Sequence, residues 1–453
     1  MDIIHLPIEL WTLIFDLLDI KQQVRLIQLC KTIKNKIFIT DLYNIGYKFI
    51  IKLNGNIIKK YPYIKKLNAS FNSKIKDEDL VELNLIKLYA NDNPTIKKIN
   101  HMINLKILYA GEDSGIEDDS LISTFGGLNL VELYAYDNPK IKNINHMTNL
   151  RILNASGNSG IGDDDLVSTF GGLNLVELHA FNNPKIKKIN HMTNLRILNA
   201  GGDSGIDDDS LVGLNLVELN AYANPKIKKI NHMSNLRILN AGWDSGIDDE
   251  SLISTFAEGY GVLNLVELNA CSNPKIKKIN HMTNLRILNA GGNSGIDDDN
   301  LVGLNLYELK TSYNLKIKKI NHMTNLRILN ASNNSGIDDE SLIGLNLIQL
   351  NATCNPKIKK INHMSNLRIL YAYFNSGIDD ESLIGLNLVE LSACSNPKIK
   401  KINHMTNLRI LYAAWNSGID DESLIGLNLI KLNATCNPKI KKKRKYDQFK
   451  NTE

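Results

Sequence analysis

The sequence predicts an α/β repeat solenoid of parallel β-strands, preceded by a small all-α domain. The first observation is a repeat: the dipeptide His-Met recurs at residues 101, 146, 191, 232, 281, 322, 363 and 404 of the 453-residue chain. Self-similarity at a fixed period of this length is typical of stacked repeat units. The second observation is that each unit carries the same apolar pattern twice. The third is that the first fifty residues lack the repeat and show helical periodicity instead.

Residues 1–40 account for the all-α domain. Pro7 suits the first turn of a helix, where a backbone N–H is not needed. The apolar stripe that follows at helical spacing consists of Leu10, Ile14, Leu17 and Leu18. A second amphipathic stretch covers residues 20–37. Two helices are therefore expected.

This segment resembles the F-box, whose pattern runs Leu-Pro-x-Glu-Leu, then Ile-Phe, Leu-Asp and Leu…Cys-Lys. The residues in step with the pattern are Leu6, Pro7, Glu9, Leu10, Ile14, Phe15, Leu18, Asp19, Leu26, Leu29, Cys30 and Lys31. Two residues depart from it: Gln23 stands where leucine is usual, and Ile33 where tryptophan is usual. The alternative is a plain helical cap that shields the end of the solenoid.

The resemblance implies that these helices bind a Skp-type adaptor protein. The residues that would make this contact are Leu6, Pro7, Glu9, Leu10, Ile14, Phe15, Leu18, Leu26, Leu29 and Cys30.

Residues 60–444 are predicted to form nine double units, or about eighteen coils, with residues 41–59 as a joint and N-terminal cap. Each unit contains L-x-x-L-x-A-x-x-N twice. One unit has it at Leu326, Leu329, Ala331 and Asn334, and again at Leu347, Leu350, Ala352 and Asn355. The pattern is similar to the leucine-rich repeat, with alanine in the third apolar position. The resemblance implies parallel strands that line a concave face.

The remaining letters of a unit predict its turns. The asparagine that closes each strand is expected to bond the backbone of neighbouring coils and so form an asparagine ladder. The segment "GIDDESL" predicts the start of a helix, with an aspartate as its N-cap. Longer versions of "LIGLNL", at residues 121–130 and 252–265, predict inserted loops on one face of the array.

The layout as a whole looks like the F-box/leucine-rich repeat proteins of giant DNA viruses, which implies an intracellular, cytoplasmic location in a host cell. Five cysteines, an odd number without a CxxC pair, fit a reducing compartment. The basic run Lys441–Lys445 has the composition of a nuclear-import signal, although its first lysines also belong to the ordinary repeat. Residues 445–453 are a basic and polar tail.

Several residues suggest chemistry at first sight, namely the histidines, the serine of "GDSG" at 202–205 and the aspartate runs. Each recurs in successive units, and stacking places equivalent positions about 10 Å apart. Zinc needs its ligands about 2 Å from one centre, and a nucleophile needs a base beside it. We therefore expect turn, cap and core roles, with no catalytic residue, metal site or cofactor. The aspartates and the lysines of "PKIKKIN" are expected to form two separate solvated columns.

The variable positions of the repeat are more informative than the constant ones. The side chains that follow the second leucine and the alanine are expected to point onto the concave face. The candidate target-binding residues there are Tyr109, Tyr134, Tyr136, Phe181, Tyr222, Trp243, Tyr313, Tyr371, Tyr373, Phe374, Tyr412 and Trp415. Exposed aromatic residues on a rigid face are common anchors of protein interfaces. The alternative is drift at unconstrained positions.

A column of glutamates lies just before the second leucine on the same face and favours basic partners. Its members are Glu132, Glu177, Glu218, Glu267, Glu308 and Glu390. Because the net charge is only +5 and no long apolar run occurs, we expect neither a nucleic-acid nor a membrane partner.

The sequence thus predicts a protein-interaction molecule and not an enzyme. The resemblance implies a substrate-recognition subunit of a Skp–cullin–F-box type E3 ubiquitin ligase, monomeric outside that complex, with an unknown target protein on its concave face. A leucine-rich repeat scaffold or decoy without a ligase role is the alternative.

Overall fold

A computed structural model describes residues 8–29, 37–43, 45–122, 128–167, 173–254 and 261–441. Within these ranges the chain divides into two units, Met1–Leu214 and Asn215–Glu453. The predicted domain boundaries at residues 40, 59 and 444 stay a prediction, since the division into units falls inside the repeats. No helix in the described ranges is long and apolar enough to cross a membrane.

The first unit begins with two helices, α1 (Ile8–Asp16) and α2 (Ile20–Leu29). The side chain of Asp19 accepts a hydrogen bond from the backbone N–H of Gln22 at 2.9 Å. In return, the side chain of Gln22 accepts one from the backbone N–H of Asp19 at 3.0 Å. This reciprocal capping fixes the start of α2. Gln23 donates from Nε2 to the backbone oxygens of Phe15 and Leu18, at 2.9 and 3.2 Å. The residue that departs from the F-box pattern therefore satisfies carbonyl groups at the end of α1.

A ladder of parallel strands follows in the first unit, one strand per coil. The strands are β1 (Asp41–Leu42), β2 (Lys66–Asn68), β3 (Lys87–Tyr89), β4 (Ile107–Tyr109), β5 (Glu132–Tyr134), β6 (Ile152–Asn154), β7 (Glu177–His179) and β8 (Ile197–Asn199). Each strand pairs with the next in chain order and without a shift in register. Short helices precede or connect them at Tyr47–Ile50, Gly55–Ile58, Asp77–Leu80, Asp118–Leu121, Asp163–Leu166 and, as a 3₁₀ turn, Asp209–Leu211.

The second unit repeats this ladder. Its parallel strands are β9 (Glu218–Asn220), β10 (Ile238–Asn240), β13 (Glu267–Asn269), β14 (Ile287–Asn289), β15 (Glu308–Lys310), β16 (Ile328–Asn330), β17 (Gln349–Asn351), β18 (Ile369–Tyr371), β19 (Glu390–Ser392), β20 (Ile410–Tyr412) and β21 (Lys431–Asn433). Strands β11 (Ile253–Ser254) and β12 (Gly261–Val262) form an antiparallel hairpin at the longest insertion. The 3₁₀ turns of the second unit are Glu250–Leu252, Asp299–Leu301, Glu340–Leu342 and Glu381–Leu383.

Seven three-residue strands in the first unit and eleven in the second give the eighteen coils that the sequence predicts, so the α/β repeat solenoid is confirmed. The central leucine of each strand points inwards, while its neighbours lie half-exposed on the other face. In the coils around Leu329, the core also contains Ala331, Ile337 and Met364, each nearly inaccessible to solvent. The methionine after each histidine is thus a core residue.

The asparagine ladder occupies two consecutive coils at its start, at Asn72 and Asn93, and only every second coil after that. Asn355 is fully buried, and its Nδ2 donates to the backbone oxygens of Ala331 and Ile337, at 2.8 and 3.0 Å. Asn334, which was expected to play the same role in the longer half, is exposed. The longer half has one more residue than the shorter half between the alanine and the buried position, which therefore falls on Ser335.

The aspartate and lysine segments do not form two separate columns, contrary to expectation. In one coil Asp339 accepts from the backbone N–H groups of Lys359 and Lys360 in the next coil, at 2.6 and 2.7 Å. The same contact recurs at Asp118, Asp163, Asp249, Asp298 and Asp380. Acidic and basic segments therefore alternate along one edge within each unit, and these aspartates tie coils together.

The segment "GIDDESL" forms only a single helical turn. The backbone N–H of Ser341 donates to Asp338 at 3.0 Å, so an aspartate does cap this turn as predicted. The turn is α-helical at Asp118–Leu121 and Asp163–Leu166, and 3₁₀ in the second unit.

Candidate functional site

The exposed apolar face of α1 is the first candidate surface. Its side chains are Leu10, Leu13, Ile14 and Leu17, and the last is 86% exposed. They recur at i, i+3, i+4 and i+7, so they lie along one stripe of the helix. A contiguous apolar stripe in contact with solvent is typical of a surface that a partner covers.

The predicted adaptor-binding residues differ in their exposure to solvent. Leu10 and Ile14 lie on the exposed stripe, and Leu18 and Leu26 are partly exposed. Phe15 is only 2% exposed, because it lies on the opposite side of α1 from Leu13 and Leu17 and faces the interior. Phe15 is therefore a core residue of the helical domain in the free chain, and its contact with an adaptor stays a prediction.

Other members of that set lie outside the described residues. These are Leu6, Pro7 and Cys30, together with the side chains of Glu9 and Leu29; Ile33 is outside as well. Leu13, which the predicted set lacked, is 62% exposed. The helical spacing from Leu10 to Leu17 was the signal that could have identified it.

The exposed face of the strands, which the sequence predicts to be concave, carries a column of stacked tyrosines in the first unit. The ring centroids of Tyr43 and Tyr89 are 4.5 Å apart, those of Tyr89 and Tyr109 3.9 Å, and those of Tyr109 and Tyr134 4.0 Å. The strand register produces this column, because the third residues of β3, β4 and β5 are paired neighbours. Burial raises the pKa values of Tyr89 and Tyr134 well above their usual range, and the neighbouring phenols add to the effect.

A lysine of the same chain lies against this column. The Nζ of Lys87 is 4.9 Å from the ring centroids of both Tyr43 and Tyr89 and 5.5 Å from that of Tyr109. Equal distances to two stacked rings place the ammonium group beside the column and opposite the gap between the rings. The tyrosine column therefore already accommodates a cation.

The glutamates predicted on this face are the first residues of their strands. Glu132 accepts from the hydroxyl of Tyr134 at 3.2 Å, and Glu177 lies 2.6 Å from Nε2 of His179. In the second unit, Glu308 pairs with Nζ of Lys310 at 3.0 Å. The glutamate column thus belongs to the same surface as the aromatic residues.

A carboxylate cluster lies in the turns after β3, β4 and β5. Asp92, Glu112 and Asp137 occupy equivalent turn positions with positive φ. A hydrogen bond shared with Asp92, together with burial and the charge of Asp137, raises the pKa of Glu112 to about 7. Glu112 therefore releases its proton close to neutral pH.

The stability of the first unit should fall as pH rises through this window. The folded chain keeps the Glu112 proton up to about pH 7, whereas the unfolded chain releases it near 4.5. Because the folded state binds more protons between these values, its stability declines as pH rises from about 5 to 7. Glu112→Gln should therefore raise the thermal unfolding midpoint at pH 8 and have less effect at pH 5. Asp203→Asn, at an exposed turn, is the control; equal shifts at both pH values for Glu112→Gln would contradict the assignment.

Five aromatic residues, four of them predicted to bind the target, lie in turns past the ends of the strands. Phe71, Trp243, Tyr313, Phe374 and Trp415 all adopt positive φ, between 50° and 62°. Each is at least half exposed. The equivalent turns elsewhere use Gly157, Gly202 and Gly292, which adopt this conformation without strain. The offset of two residues from the alanine places these side chains past the end of the strand.

The remaining aromatic candidates form small groups on the second unit. Tyr222 and Trp243 have ring centroids 6.1 Å apart. Tyr371, Tyr373 and Phe374 make a chain of edge contacts at 6.0 and 6.3 Å. The Nζ of Lys431 lies 5.3 Å from the ring of Tyr412. Elsewhere, Tyr136 and Phe181 of the first unit approach Gly111 and Gly202.

The residues that first suggested chemistry have structural positions. The Nε2 atoms of His101, His363 and His404 lie 3.1–3.3 Å from backbone oxygens of the preceding coil. Among the described residues, no group of three histidine, cysteine or carboxylate side chains could hold a metal ion. The four described cysteines, which are Cys271, Cys354, Cys394 and Cys436, are free thiols.

Comparison with known proteins identifies the N-terminal segment. Residues 3–44 match the F-box domain family. No curated protein sequence matches the chain.

Several solved structures resemble the chain at low sequence identity. The TLR13–ssRNA13 complex has a TM-score of 0.54 at 19% identity, over 83% of this chain and 63% of that one. An internalin (inlF) from Listeria monocytogenes has a TM-score of 0.31 at 20% identity, over 83% and 88%. The yeast Rad7 and Elc1 complex has a TM-score of 0.36 at 15% identity, over 84% and 86%. The chain therefore carries an F-box domain at its N-terminus, followed by a parallel β-solenoid of about eighteen coils that resembles leucine-rich repeat proteins.

Proposed function

We propose that the chain is a substrate-recognition subunit of a Skp–cullin–F-box type E3 ubiquitin ligase. The observation that carries the proposal is the exposed apolar stripe of α1 within a segment that matches the F-box domain. A Skp-type adaptor would cover Leu10, Leu13, Ile14 and Leu17. A target protein would bind the concave face through its aromatic residues. The viral origin that the layout implies would make the adaptor a host protein.

In this proposal the chain performs no chemistry itself. It holds the target close to a ubiquitin-conjugating enzyme, which raises the effective concentration of the target lysines. The role requires an intracellular location, cytoplasmic or nuclear, and free thiols are compatible with it. We expect a monomer outside the ligase complex.

A reconstituted reaction tests this role without knowledge of the target. The full chain is mixed with a Skp-type adaptor, a cullin–RING core, a charged conjugating enzyme and ubiquitin. Because the chain itself has many exposed lysines, it should acquire ubiquitin in a reaction that depends on the adaptor. If the adaptor binds but no ubiquitin is transferred, the scaffold or decoy role is favoured instead.

The turn aromatics should contribute to binding and not to folding. Trp415 is 52% exposed at a φ of 56°, so Trp415→Gly removes strain as well as the ring. We expect the free energy of unfolding to change by less than about 0.5 kcal/mol, since relief of strain offsets the greater flexibility of glycine. Proteins cross-linked to the chain in cells should be lost at the same time. A variant that unfolds readily would show that Trp415 is a structural residue; Leu411→Ala, in the core, provides that reference.

A further inference from the structure

On the exposed face of the strands in the first unit, β6 carries short side chains between ring residues of the strands on either side, and we call this surface the groove along β6. The register pairs Tyr134 with Asn154, and Asn154 with His179, so a short side chain stands between two rings. Two strand spacings separate the backbones that carry these rings, about 9.6 Å. In the next row Ser156, also small, stands between Tyr136 and Phe181.

The aromatic residues beside the groove contact neighbouring residues on their sides that face away from β6. Tyr134 stacks on Tyr109 on the side away from the groove, at 4.0 Å and an angle of 4°. Tyr136 lies against Gly111, where an added Cβ would come within 2.7 Å of the ring. On the other side, Phe181 approaches Gly202. In this second row Tyr136 and Phe181 therefore lean in opposite directions, away from β6.

The side chain of Asn154, which forms the floor of the groove, is also kept close to the backbone. The side-chain oxygen of Asn154 accepts from the backbone N–H of Ser156 at 3.1 Å, which folds the amide along its own strand. At Asn68, the comparable position on β2, the flanking rings close over the asparagine: the ring centroids of Tyr43 and Tyr89 are 4.5 Å apart. Across Asn154 the residue that faces Tyr134 is His179, and its Nε2 lies 2.6 Å from Glu177 of its own strand, which holds the imidazole towards that end of the strand.

Carboxylates stand at both ends of the groove. Glu132 and Glu177 begin the strands on either side of β6 and bond the ring residues Tyr134 and His179. Asp137 lies at the turn end and accepts from the backbone N–H of Asn158 at 2.8 Å. Aromatic faces attract cations, and a planar guanidinium can stack on a ring while it donates to carboxylates. A nucleic acid would instead bring phosphates towards these carboxylates.

We propose that this groove binds an arginine side chain from an extended segment of the target protein. The guanidinium would stack against Tyr134 and His179, in the layer that Asn154 leaves open, and would donate to Glu132 and Glu177. This inference deepens the proposed function and rests on it, because it assigns the chemistry of the target that the concave face recognises.

A peptide titration of the full chain tests the assignment. The probe is a fluorescently labelled, blocked peptide, Gly-Arg-Gly-Arg-Gly, with lysine and citrulline versions as comparisons. We expect the arginine peptide to bind at least threefold more tightly than the lysine peptide and tenfold more tightly than the citrulline peptide, by fluorescence anisotropy. Equal binding of the arginine and citrulline peptides would overturn the proposal. So would tighter binding of a uridine oligonucleotide.

Asn154→Tyr supplies the decisive variant. Tyr109 and Tyr134 occupy the same strand position, so the fold tolerates this side chain, and the new ring would fill the layer between Tyr134 and His179. We expect arginine-peptide affinity to fall at least tenfold. Asn199→Tyr, the same change on the far side of His179, should leave it within threefold. An equal loss in both variants, with unchanged thermal unfolding, would refute the groove.

The same variant separates this inference from the ligase proposal. Adaptor binding depends on α1, so Asn154→Tyr should bind a Skp-type adaptor as well as the unaltered chain does. Loss of peptide binding with adaptor binding retained supports the arginine groove. Peptide binding by a chain that fails to bind the adaptor would remove the ligase role and leave an arginine-binding solenoid.

Discussion

The double variant Leu13→Asp/Leu17→Asp is expected to lose at least about 100-fold in affinity for a Skp-type adaptor, equivalent to about 2.7 kcal/mol. Both leucines are exposed in the free chain, so the carboxylates remain solvated until a partner covers them. Burial of an unpaired charge in an apolar interface then costs several kcal/mol. The measurement is a titration of the purified adaptor into each form of the chain.

The structure offers a matched control for this experiment. Val81 and Ile103 belong to the same unit and are 63% and 60% exposed, close to the 62% of Leu13. Val81→Asp/Ile103→Asp makes the same change in charge away from α1 and should bind the adaptor normally. A similar loss in both double variants would contradict a contact at α1. Phe15→Asp is unsuitable, because Phe15 is buried and the variant would disrupt the helical domain.

Asn355→Ala should destabilise the second unit by about 2–4 kcal/mol. The substitution removes two buried hydrogen bonds and leaves the carbonyl groups of Ala331 and Ile337 without their donor. Each buried polar group that loses its partner costs about 1–3 kcal/mol. The measurement is the free energy of unfolding by denaturant, with circular dichroism as the signal.

Asn334→Gly provides the control in the same double repeat. Asn334 occupies the equivalent place in the sequence pattern but is exposed, and glycine adopts its positive φ without strain, so this replacement should change the free energy of unfolding by less than about 0.5 kcal/mol. The contrast tests the finding that the ladder occupies alternate coils of the second unit. Equal losses in the two variants would restore the expectation of an asparagine ladder in every coil.

Repetition made the fold predictable, because copies of one unit can be compared within a single sequence. Constant leucines and alanines indicated the core, and the strand register follows directly from their alignment. The exposed stripe of α1 was only partly identified. Phe15 fits the F-box pattern, but its position on the helix places it in the interior, whereas the spacing of Leu13 places it outside.

The details that the sequence did not reveal depend on backbone geometry. One extra residue in the turn of the longer half moves the buried position from Asn334 to Ser335. The contact between Asp339 and the next coil requires knowledge of how two different turns align. The sequence also did not reveal that aromatic residues such as Trp243 lie in turns, because a strand pattern does not show where the strand ends.

The ligase role is best tested by calorimetric titration of a purified Skp-type adaptor into the unaltered chain. We expect a 1:1 complex with a dissociation constant below about 1 μM, and a heat signal that Leu13→Asp/Leu17→Asp abolishes. The absence of binding at about 50 μM of both proteins, with the chain folded by circular dichroism, would contradict the ligase role. The helical domain would then be a cap on an interaction solenoid.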